Sequence, residues 1–543
     1  MSTATIPATQ FAIQLVGPGE LKLNISKEVF TPGPHQILCK IEAVGLCFSD
    51  LKLLKQFADH PRKSEIVKGL DSAVLGEIPS YVPGDKPTVP GHEVTCRIVA
   101  IGDQVKRHRL GERVLVQTDY RALPTKGSCA AFGYNFEGAL QEYVLMDERV
   151  IIDPDGESYL IPVDDKLSAS SIALVEPWAC VEDSYVNEER ATIKHGGRLL
   201  IVTDDVSFKP EQIKLPLSYK GGPAETIVRA STKLADLPNE SFDDIVVFTP
   251  DVKTIEQLND KLAARGIMNL VMCNRKIGAP ARIGVGRIHY GMTRWIGTMT
   301  SNPADSYRWI PNTGEVRDND RIQVVGAGGP MGQMHVIRNI CSGKRNLSVV
   351  ATDMDDARLA SLAAKAQALA DARKLSLRMV NTARTKLTEN YTYIALMAPI
   401  PVLLAQAVHD AGPACLINIF AGIPAPTKHE IDLDTYIERH CYMFGTSGST
   451  IQDMKIVLDK VQTGQLNTDC SVDAVSGMAG AKDGIAAVEN RTLAGKIIVY
   501  PQLHEMPLTP LAELAKSYPT VAAKLQAGQW TGEAEQELLR VAK

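Results

Sequence analysis

The chain has 543 residues, enough for more than one domain with a hydrophobic core of its own. Hydrophobic residues make up 45% of it and charged residues 22%, as in ordinary soluble globular proteins. The net charge of -5 gives no reason to expect nucleic acid or an anionic membrane as a partner.

The N-terminus, the apolar runs and the cysteines further limit the class of protein that we expect. The first ten residues show no basic segment followed by an apolar core, and no run of about 18 apolar residues occurs anywhere. The ten cysteines are scattered, and none forms a C-x-x-C pair. We therefore expect a cytoplasmic protein with reduced thiols and no membrane segment.

Residues 11–150 consist of short β-type runs separated by glycine, proline and aspartate. Examples are Gln36–Ile41, Thr95–Ala100 and Arg113–Val116. This pattern predicts a small β-barrel or β-sandwich.

Three clusters in and after this region carry residue types that bind metals. They are Cys47-Phe48-Ser49-Asp50, His92-Glu93 and Glu176-Pro177. Thiolate, imidazole and carboxylate are ligands that zinc prefers, and a catalytic zinc keeps one position open. Cys47, His92 and either or both of Glu93 and Glu176 could supply three or four contacts, while Asp50 could hold the second imidazole nitrogen. Each residue taken singly is more typical of a buried cysteine, a structural histidine or a helix boundary.

Residues 197–315 resemble a later part of the chain. Ile227–Leu234 echoes Met379–Leu387, Phe242–Pro250 echoes Tyr391–Pro399, and Trp295–Ser301 echoes Met443–Ser449, each about 150 positions apart. This pattern predicts a duplicated α/β unit, and chance similarity between two α/β segments is the alternative. The first copy has Asp204 and Asp205 after its first strand instead of glycines, so we predict that it repels a pyrophosphate and holds no cofactor.

The second copy begins with an apolar run, Ile322–Val325, that enters a glycine cluster and continues as a helix. The cluster comprises Gly326, Gly328, Gly329, Pro330, Met331 and Gly332. Such glycines let the backbone approach a pyrophosphate, whose charge rests on the N–H groups at the helix start. Asp353 ends the next apolar run about 20 residues later, where dinucleotide-binding units place the carboxylate that binds the ribose hydroxyls. The spacing departs from G-x-G-x-x-G and an ordinary turn is the alternative, but strand, helix and acid together favour dinucleotide binding.

Further strand ends follow in the second copy. Ala398, Pro399, Phe420 and Gly422 fall where the crevice of a doubly wound sheet forms, so they are candidates to line the nicotinamide. Proline and glycine at strand ends are otherwise simply turn residues. The tail, residues 506–543, has helical spacing and is predicted to be a packing or oligomer element.

In this order, the three clusters and the glycine turn resemble the zinc-dependent medium-chain dehydrogenase/reductase family, the alcohol dehydrogenases. The resemblance covers about residues 10–205 and 318–505 and is closest to sorbitol-dehydrogenase and sorbose-1-phosphate-reductase-like members, where a Glu-Pro pair forms the third cluster. It implies a GroES-like β-barrel domain and a doubly wound parallel-sheet (Rossmann) domain, the latter duplicated here.

The resemblance also implies roles for individual residues. Cys47 and His92 would bind zinc, with Glu93 and Glu176 completing the ligand set directly or through water. Ser49 would relay the substrate proton, and Asp353 would select NAD over NADP. Many relatives carry a second, structural zinc on four closely spaced cysteines. Only Cys129 lies well inside that interval, so we predict one catalytic Zn²⁺ and no structural zinc.

These observations predict five segments. They are a GroES-like catalytic domain (1–195), a degenerate Rossmann-like domain (196–316), an NAD-binding Rossmann domain (317–470), a return to the catalytic domain (471–505) and a helical extension (506–543). A polar stretch, residues 60–86, is interpreted as an inserted surface loop. The degenerate copy is interpreted as a segment that covers an exposed edge of the other copy's sheet. The sequence leaves open whether the chain is a monomer or a homo-oligomer.

The predicted function is zinc-dependent hydride transfer between NAD(H) and a secondary alcohol or ketone of a polyol, sugar or sugar phosphate. Two alternatives remain open at this point. One is a zinc-free reductase of the same fold that acts on enones or quinones. The other is a non-catalytic nucleotide-responsive binding protein, which would not need the proton relay of Ser49.

Overall fold

The computed structural model describes residues 6–542, and the chain divides into two compact units. One comprises Met1–Ala179 and Ser449–Lys543, and the other comprises Cys180–Gly448. Two of the five segments expected from the sequence, 1–195 and 317–470, extend across the breaks between these units, which fall after residues 179 and 448. The five segment boundaries stay a prediction. Within residues 6–542, none of the helices combines the length and the apolar character needed to cross a bilayer.

The first unit is built on a mostly antiparallel sheet. The strand Gln36–Gly45 lies at its centre and is buried along most of its length. The sheet contains, in spatial order, Thr509–Pro510, Val472–Ser476, Lys496–Val499, Gln36–Gly45, Glu93–Ile101, Arg113–Val116 and Leu160–Pro162, and Tyr143–Asp147 also pairs with the central strand. Two hairpins accompany it, Thr9–Gly17 with Glu20–Glu28 and Asp119–Thr125 with Ser128–Ala131. The predicted β-rich domain is therefore present.

The helices of this unit are mostly short, and the last three follow the final strand. They are Phe48–Gln56, Ser72–Gly76, Glu148–Ile151, Ala169–Ala173, Ile451–Gln462, Ala481–Asn490, Leu514–Ser517, Pro519–Ala522 and Gly532–Val541, while Val175–Val186 begins in this unit. Only the first of them directly follows the central strand, and it carries part of the candidate site described below.

The C-terminal tail packs into this unit through one buried polar cluster. Trp530 is fully buried and donates to Ser170 Oγ at 3.1 Å. Glu535 accepts from the backbone N–H groups of Ala169 and Ser170 at 2.6 and 2.8 Å. Asp469 accepts from the hydroxyls of Ser168 and Ser170, both at 2.6 Å. The tail is therefore a packing element of its own chain.

This cluster predicts a pH-dependent stability. Burial, reinforced by nearby Glu535, raises the pKa of Asp469 from 3.8 to about 7, although the two serine hydroxyls oppose the shift. The folded state then binds more protons than the unfolded state between these values, so stability is lost as the pH rises from about 4 to about 7. We expect Asp469→Asn to be more heat-stable than wild type, by a margin that grows from pH 5 to pH 8 in scanning fluorimetry. A margin that does not change with pH would contradict this.

The second unit contains two parallel sheets. The larger one has the spatial order Ser376–Asn381, Ser348–Asp353, Arg321–Val325, Tyr391–Leu396, Ala411–Ile419 and Tyr442–Phe444. Its helices are Pro330–Ile340, Asp356–Ala372, Pro401–Asp410 and Leu433–Glu438. Strand order reverses between Arg321–Val325 and Tyr391–Leu396, which is the switch point where doubly wound sheets bind ligands.

The smaller sheet belongs to the first copy. Its order is Glu225–Arg229, Arg198–Val202, Phe242–Val247, Leu262–Val271 and Arg294–Thr298, with helices Val252–Asn259, Val285–Tyr290 and Ala304–Tyr307. The register breaks between Phe242 and Asp244 as it does between Tyr391 and Tyr393, at equivalent positions of the two copies. The predicted α/β class with a duplicated parallel sheet is thus observed.

The two copies differ at their beginnings. Between residues 202 and 225 the only helical element of the described chain is a 3-10 turn, Pro210–Gln212, where the second copy has a helix. Consequently Glu225–Arg229 pairs directly with the first strand of its sheet, whereas its predicted counterpart, Ser376–Asn381, is separated from Arg321–Val325 by another strand. The sequence match at this point therefore does not extend to equivalent positions in the sheets, because the first copy lacks one strand-and-helix step.

The two sheets meet through equivalent elements of the two copies. The short strands Ala281–Ile283 and His429–Ile431 pair antiparallel, with Arg282 opposite Glu430. A Cβ at Gly297 would lie 2.6 Å from the side chain of Ile437, and one at Gly445 would lie 3.1 Å from His289 Cα. One hydrophobic core extends through both copies. Each copy therefore packs on the other in the way in which two subunits of a symmetric dimer would.

We propose that this internal pairing replaces pairing between chains. Since the edge of each sheet already faces the other copy, we expect size-exclusion chromatography with light scattering to give the mass of one chain, independent of dilution. A stable dimer with cross-links between the strands Tyr442–Phe444 of two chains would contradict the proposal.

Candidate functional site

The central strand of the first unit is followed by Cys47, which lies at the start of a helix. The strand ends at Gly45, and Cys47 is the N-cap of the helix Phe48–Gln56. The carboxylate of Asp50 accepts from the Cys47 N–H at 3.0 Å, which satisfies a free N–H of the helix start. This hydrogen bond fixes the start of the helix and with it the position of the Cys47 thiol.

The neighbouring strand delivers His92 and Glu93. Gly91 has a φ of +96°, which favours glycine, and the strand Glu93–Ile101 begins two residues later with Glu93 paired to Gly45. A Cβ at Gly45 would lie 2.2 Å from Glu93 Oε2, so this close approach requires glycine. The motifs around Cys47 and His92 are thus joined by strand pairing.

Hydrogen bonds orient the imidazole between two groups of the first motif. His92 Nδ1 lies 3.0 Å from Asp50 Oδ1, and His92 Nε2 lies 3.1 Å from Ser49 Oγ. Ser49 Oγ also lies 3.0 Å from Cys47 Sγ. Burial disfavours the charged imidazolium, but the Asp50 carboxylate outweighs it and raises the pKa of His92 well above its usual value. Asp50 therefore holds the ring and leaves Nε2 directed at Ser49.

Cys47, His92 and Glu93 form a group that fits a metal ion. One ligand atom from each lies within 4.8 Å of those of the other two. Sulfur, imidazole nitrogen and carboxylate oxygen are the donor set of zinc sites. Glu93 Oε2 is buried and makes no hydrogen bond within the described residues, a condition that costs free energy unless another group satisfies it.

The other oxygen of Glu93 is bound by Lys496, a residue outside the three sequence clusters. Lys496 Nζ lies 2.5 Å from Glu93 Oε1 and donates to the Leu46 carbonyl at 2.7 Å. Burial disfavours the charged amine, but Glu93 and Cys47 together raise the pKa of Lys496. The sequence signal for this contact is a lysine directly before the apolar run Ile497–Val499, because a buried charged side chain needs a partner.

Glu176 lies near this group without being one of the three that converge. It is in the first turn of Val175–Val186, and its side chain is buried. Burial, with Glu93 and Asp119 adding to it, raises the pKa of Glu176 to about 7, while His92 and Lys496 oppose the shift. Its predicted place as a metal ligand remains a proposal.

The stretch 60–86, which is predicted to be an insertion, begins beside the same group. The ring of Tyr134 lies 5.9 Å from that of His92 and 5.0 Å from that of His60, centre to centre. Arg62 lies over the Tyr134 ring at 5.4 Å and binds Asp119 through two hydrogen bonds of 2.6 and 3.1 Å. Nothing in the sequence pattern indicated this arginine.

The glycine turn of the second copy has the geometry of a phosphate-binding turn. Gly326 has a φ of +79°, and its N–H and that of Ala327 donate to the Thr352 carbonyl, both at 2.9 Å. A Cβ at Gly332 would lie 2.3 Å from the Gly326 carbonyl oxygen, so the helix approaches the turn closely only with glycine there. The turn therefore satisfies the requirements that glycines meet in dinucleotide-binding units.

The start of the following helix is open. Gly329 is its N-cap, Pro330 occupies the first turn together with Met331, and a Cβ at Gly329 would have no heavy atom within 4 Å. Asp353 ends the adjacent strand and accepts from the Gly328 N–H at 2.9 Å. Backbone donors, open space and a carboxylate at the strand end fit the pyrophosphate and ribose of a dinucleotide.

The four predicted crevice residues all follow strand ends of this sheet. Ala398 and Pro399 come after Tyr391–Leu396, and a Cβ at Gly326 would lie 3.4 Å from the Ala398 nitrogen. Phe420 directly follows Ala411–Ile419. A Cβ at Gly422 would lie 2.8 Å from the hydroxyl of Tyr290, a first-copy residue that no sequence motif indicates.

Known proteins share the domain and the fold. Residues 33–155 match the alcohol dehydrogenase GroES-like domain. L-sorbose 1-phosphate reductase of Klebsiella pneumoniae is 25% identical over 351 residues, which are 55% of this chain and 77% of that protein. Sorbitol dehydrogenase of Bacillus subtilis is 28% identical over 192 residues, 33% of this chain and 45% of that protein.

Solved structures agree at the level of the fold. The 2R,3R-butanediol dehydrogenase of Bacillus subtilis is 14% identical with a TM-score of 0.53, and the match covers 91% of this chain and 100% of that one. A putative zinc-binding dehydrogenase from Sinorhizobium meliloti 1021, bound to NADP, is 15% identical with a TM-score of 0.50, covering 91% and 100%. The resemblance drawn from the sequence motifs is thereby confirmed.

Proposed function

From a chain with the GroES-like domain and the fold of the alcohol dehydrogenases, we propose a zinc-dependent oxidoreductase that transfers hydride between NAD(H) and a secondary alcohol or ketone. The observation that carries the proposal is the convergence of Cys47, His92 and Glu93, with the Ser49 hydroxyl in hydrogen-bond distance of the first two. The names of the two relatives support a polyol, sugar or sugar phosphate as substrate.

The zinc would be held by Cys47, His92 and Glu93, with Glu176 nearby, and the NAD by the glycine turn and Asp353. When bound, the zinc would polarise the substrate oxygen and the NAD(H) would accept or donate the hydride. Ser49 lies within 3.1 Å of two of the proposed ligands, so its hydroxyl is in place to hold the proton of a substrate hydroxyl. Asp50 keeps His92 in the required tautomer, and Lys496 neutralises Glu93.

Asp353 supports NAD as the cofactor. Its carboxylate accepts from three backbone N–H groups, those of Gly328, Met354 and Asp355, which fixes it at the strand end. A carboxylate held there receives ribose hydroxyls and repels the additional phosphate of NADP.

A substrate screen tests the proposal. Zinc-loaded protein is incubated with NAD and a panel of polyols, sugars and sugar phosphates, and reduced cofactor is followed by its absorbance. We expect turnover of a secondary alcohol that is lost on zinc removal, returns with zinc and is greatly reduced in Ser49→Ala. Zinc-independent reduction of an enone or quinone would instead identify the metal-free reductase, and NAD binding without any turnover would identify a binding protein.

A further inference from the structure

A helix of the first copy is attached to the crevice of the second. His289, in the helix Val285–Tyr290, lies with its Nδ1 3.1 Å from the carbonyl of Ile419, the last residue of the strand that precedes Phe420. The Gly286 N–H donates to the Thr427 carbonyl at 3.2 Å. A Cβ at Gly286 would lie 2.0 Å from the Pro424 carbonyl oxygen. The loop from residue 420 to residue 427 is therefore held at both ends by this helix.

The last residue of that helix reaches the loop itself. The hydroxyl of Tyr290 occupies the space that a side chain at Gly422 would need, 2.8 Å from the position of a Cβ. The Tyr290 ring packs edge-on against His289 with ring centres 4.6 Å apart. Even so, 41% of the Tyr290 surface stays exposed. An aromatic ring with a polar tip, held in place and partly uncovered, is suited to contact a ligand.

The corresponding helix of the second copy lacks these groups. In Leu433–Glu438, Ile437 faces Gly297 as His289 faces Gly445. Glu438, the last residue of that helix as Tyr290 is of the first, pairs with Lys276 at 2.7 Å. The histidine and the tyrosine thus lie on the helix that faces the glycine-bearing copy, and the helix that faces the copy without glycines has an aliphatic residue and an ion pair.

We propose that the first copy forms a wall of the cofactor site of the second. His289 fixes the carbonyl at the end of Ala411–Ile419 and so positions the loop that carries Phe420 and Gly422. Tyr290 contacts the nicotinamide end of the dinucleotide, whose adenosine end is at Asp353. This inference rests on the proposed binding of NAD by the second copy, and it gives the copy without glycines a function in the same site.

Comparing two ligands tests it without a turnover assay. NADH contains the nicotinamide end, and ADP-ribose lacks the nicotinamide itself. We expect Tyr290→Ala to raise the dissociation constant of NADH about tenfold, since a hydrogen bond and a ring contact are lost, while that of ADP-ribose changes less than about twofold. Tyr290→Phe keeps the ring and should give a smaller loss. Tyr219→Ala is the matched control, because Tyr219 is a first-copy tyrosine that is 95% exposed.

A second variant tests the contact with Gly422. Gly422→Ala should displace the Tyr290 hydroxyl and weaken NADH binding in the wild-type background, and it should add little in the Tyr290→Ala background. Equal losses for NADH and ADP-ribose, unchanged NADH binding in Tyr290→Ala, or full additivity of the two changes would each overturn the inference. If wild-type protein binds neither ligand, the proposed function fails and the inference fails with it.

Discussion

Cys47→Ser should lose bound zinc and turnover together. The thiolate is the one sulfur among the three converging groups, and a serine hydroxyl at that position stays protonated and is a far poorer zinc ligand. Removing a group that merely orients a ligand costs about 10–100-fold in affinity or activity, so removing the ligand should cost more than about 100-fold. Zinc content by mass spectrometry and NAD-linked turnover on the same samples measure both.

Cys129→Ser is the control for this change. Cys129 is also a free, partly exposed cysteine of the first unit, but it is not among the three converging groups, so its replacement should leave zinc content and turnover unchanged. Full activity of a metal-free Cys47→Ser protein would refute the zinc role.

Lys496→Met should destabilise the protein strongly. Lys496 and Glu93 are both almost fully buried and lie 2.5 Å apart, so the change leaves a buried carboxylate without its cation. Breaking a buried ion pair by removing one partner costs about 3–5 kcal/mol. We expect the thermal unfolding midpoint of zinc-free protein to fall by several degrees, measured by scanning fluorimetry.

A surface ion pair and a double variant test whether the loss of stability in Lys496→Met comes from the unpaired buried carboxylate. Lys55 and Glu489 lie 2.9 Å apart with side chains 67% and 47% exposed, so Lys55→Met should cost less than about 1 kcal/mol. Adding Glu93→Gln to Lys496→Met removes the stranded charge and should restore much of the stability. Equal effects of Lys496→Met and Lys55→Met, or no restoration, would show that the buried pair does not stabilise the fold.

Sequence motifs predicted the parts of the site whose residues are close together in the chain. Cys47, Ser49 and Asp50 lie within one helix turn, and His92 and Glu93 are adjacent, so their spacing was enough to group them. The glycine turn was recognisable because strand, turn and helix follow one another directly from Arg321 to Ile340. Local order of this kind is what sequence patterns report well.

The remaining features depend on contacts between distant segments. Glu93 and Lys496 are separated by 403 positions, and His289 and Ile419 by 130. Arg62 meets Asp119 across 57 positions, and it lies in the stretch 60–86, which has no periodic pattern. Tertiary packing brings such pairs together, and neither hydrophobic periodicity nor motif spacing predicts these contacts. The same reason explains why the sequence match at Ile227–Leu234 overlooked the missing strand of the first copy.

The central claim is that Cys47, His92 and Glu93 hold one zinc ion. Zinc K-edge X-ray absorption on purified zinc-loaded protein, combined with metal analysis, tests it most directly. We predict one zinc per chain, with one sulfur neighbour at about 2.3 Å and nitrogen or oxygen neighbours at about 2.0–2.2 Å, and no sulfur neighbour at any residual zinc that Cys47→Ser retains. Protein that binds no zinc, or zinc whose sulfur neighbours persist in Cys47→Ser, would contradict the account.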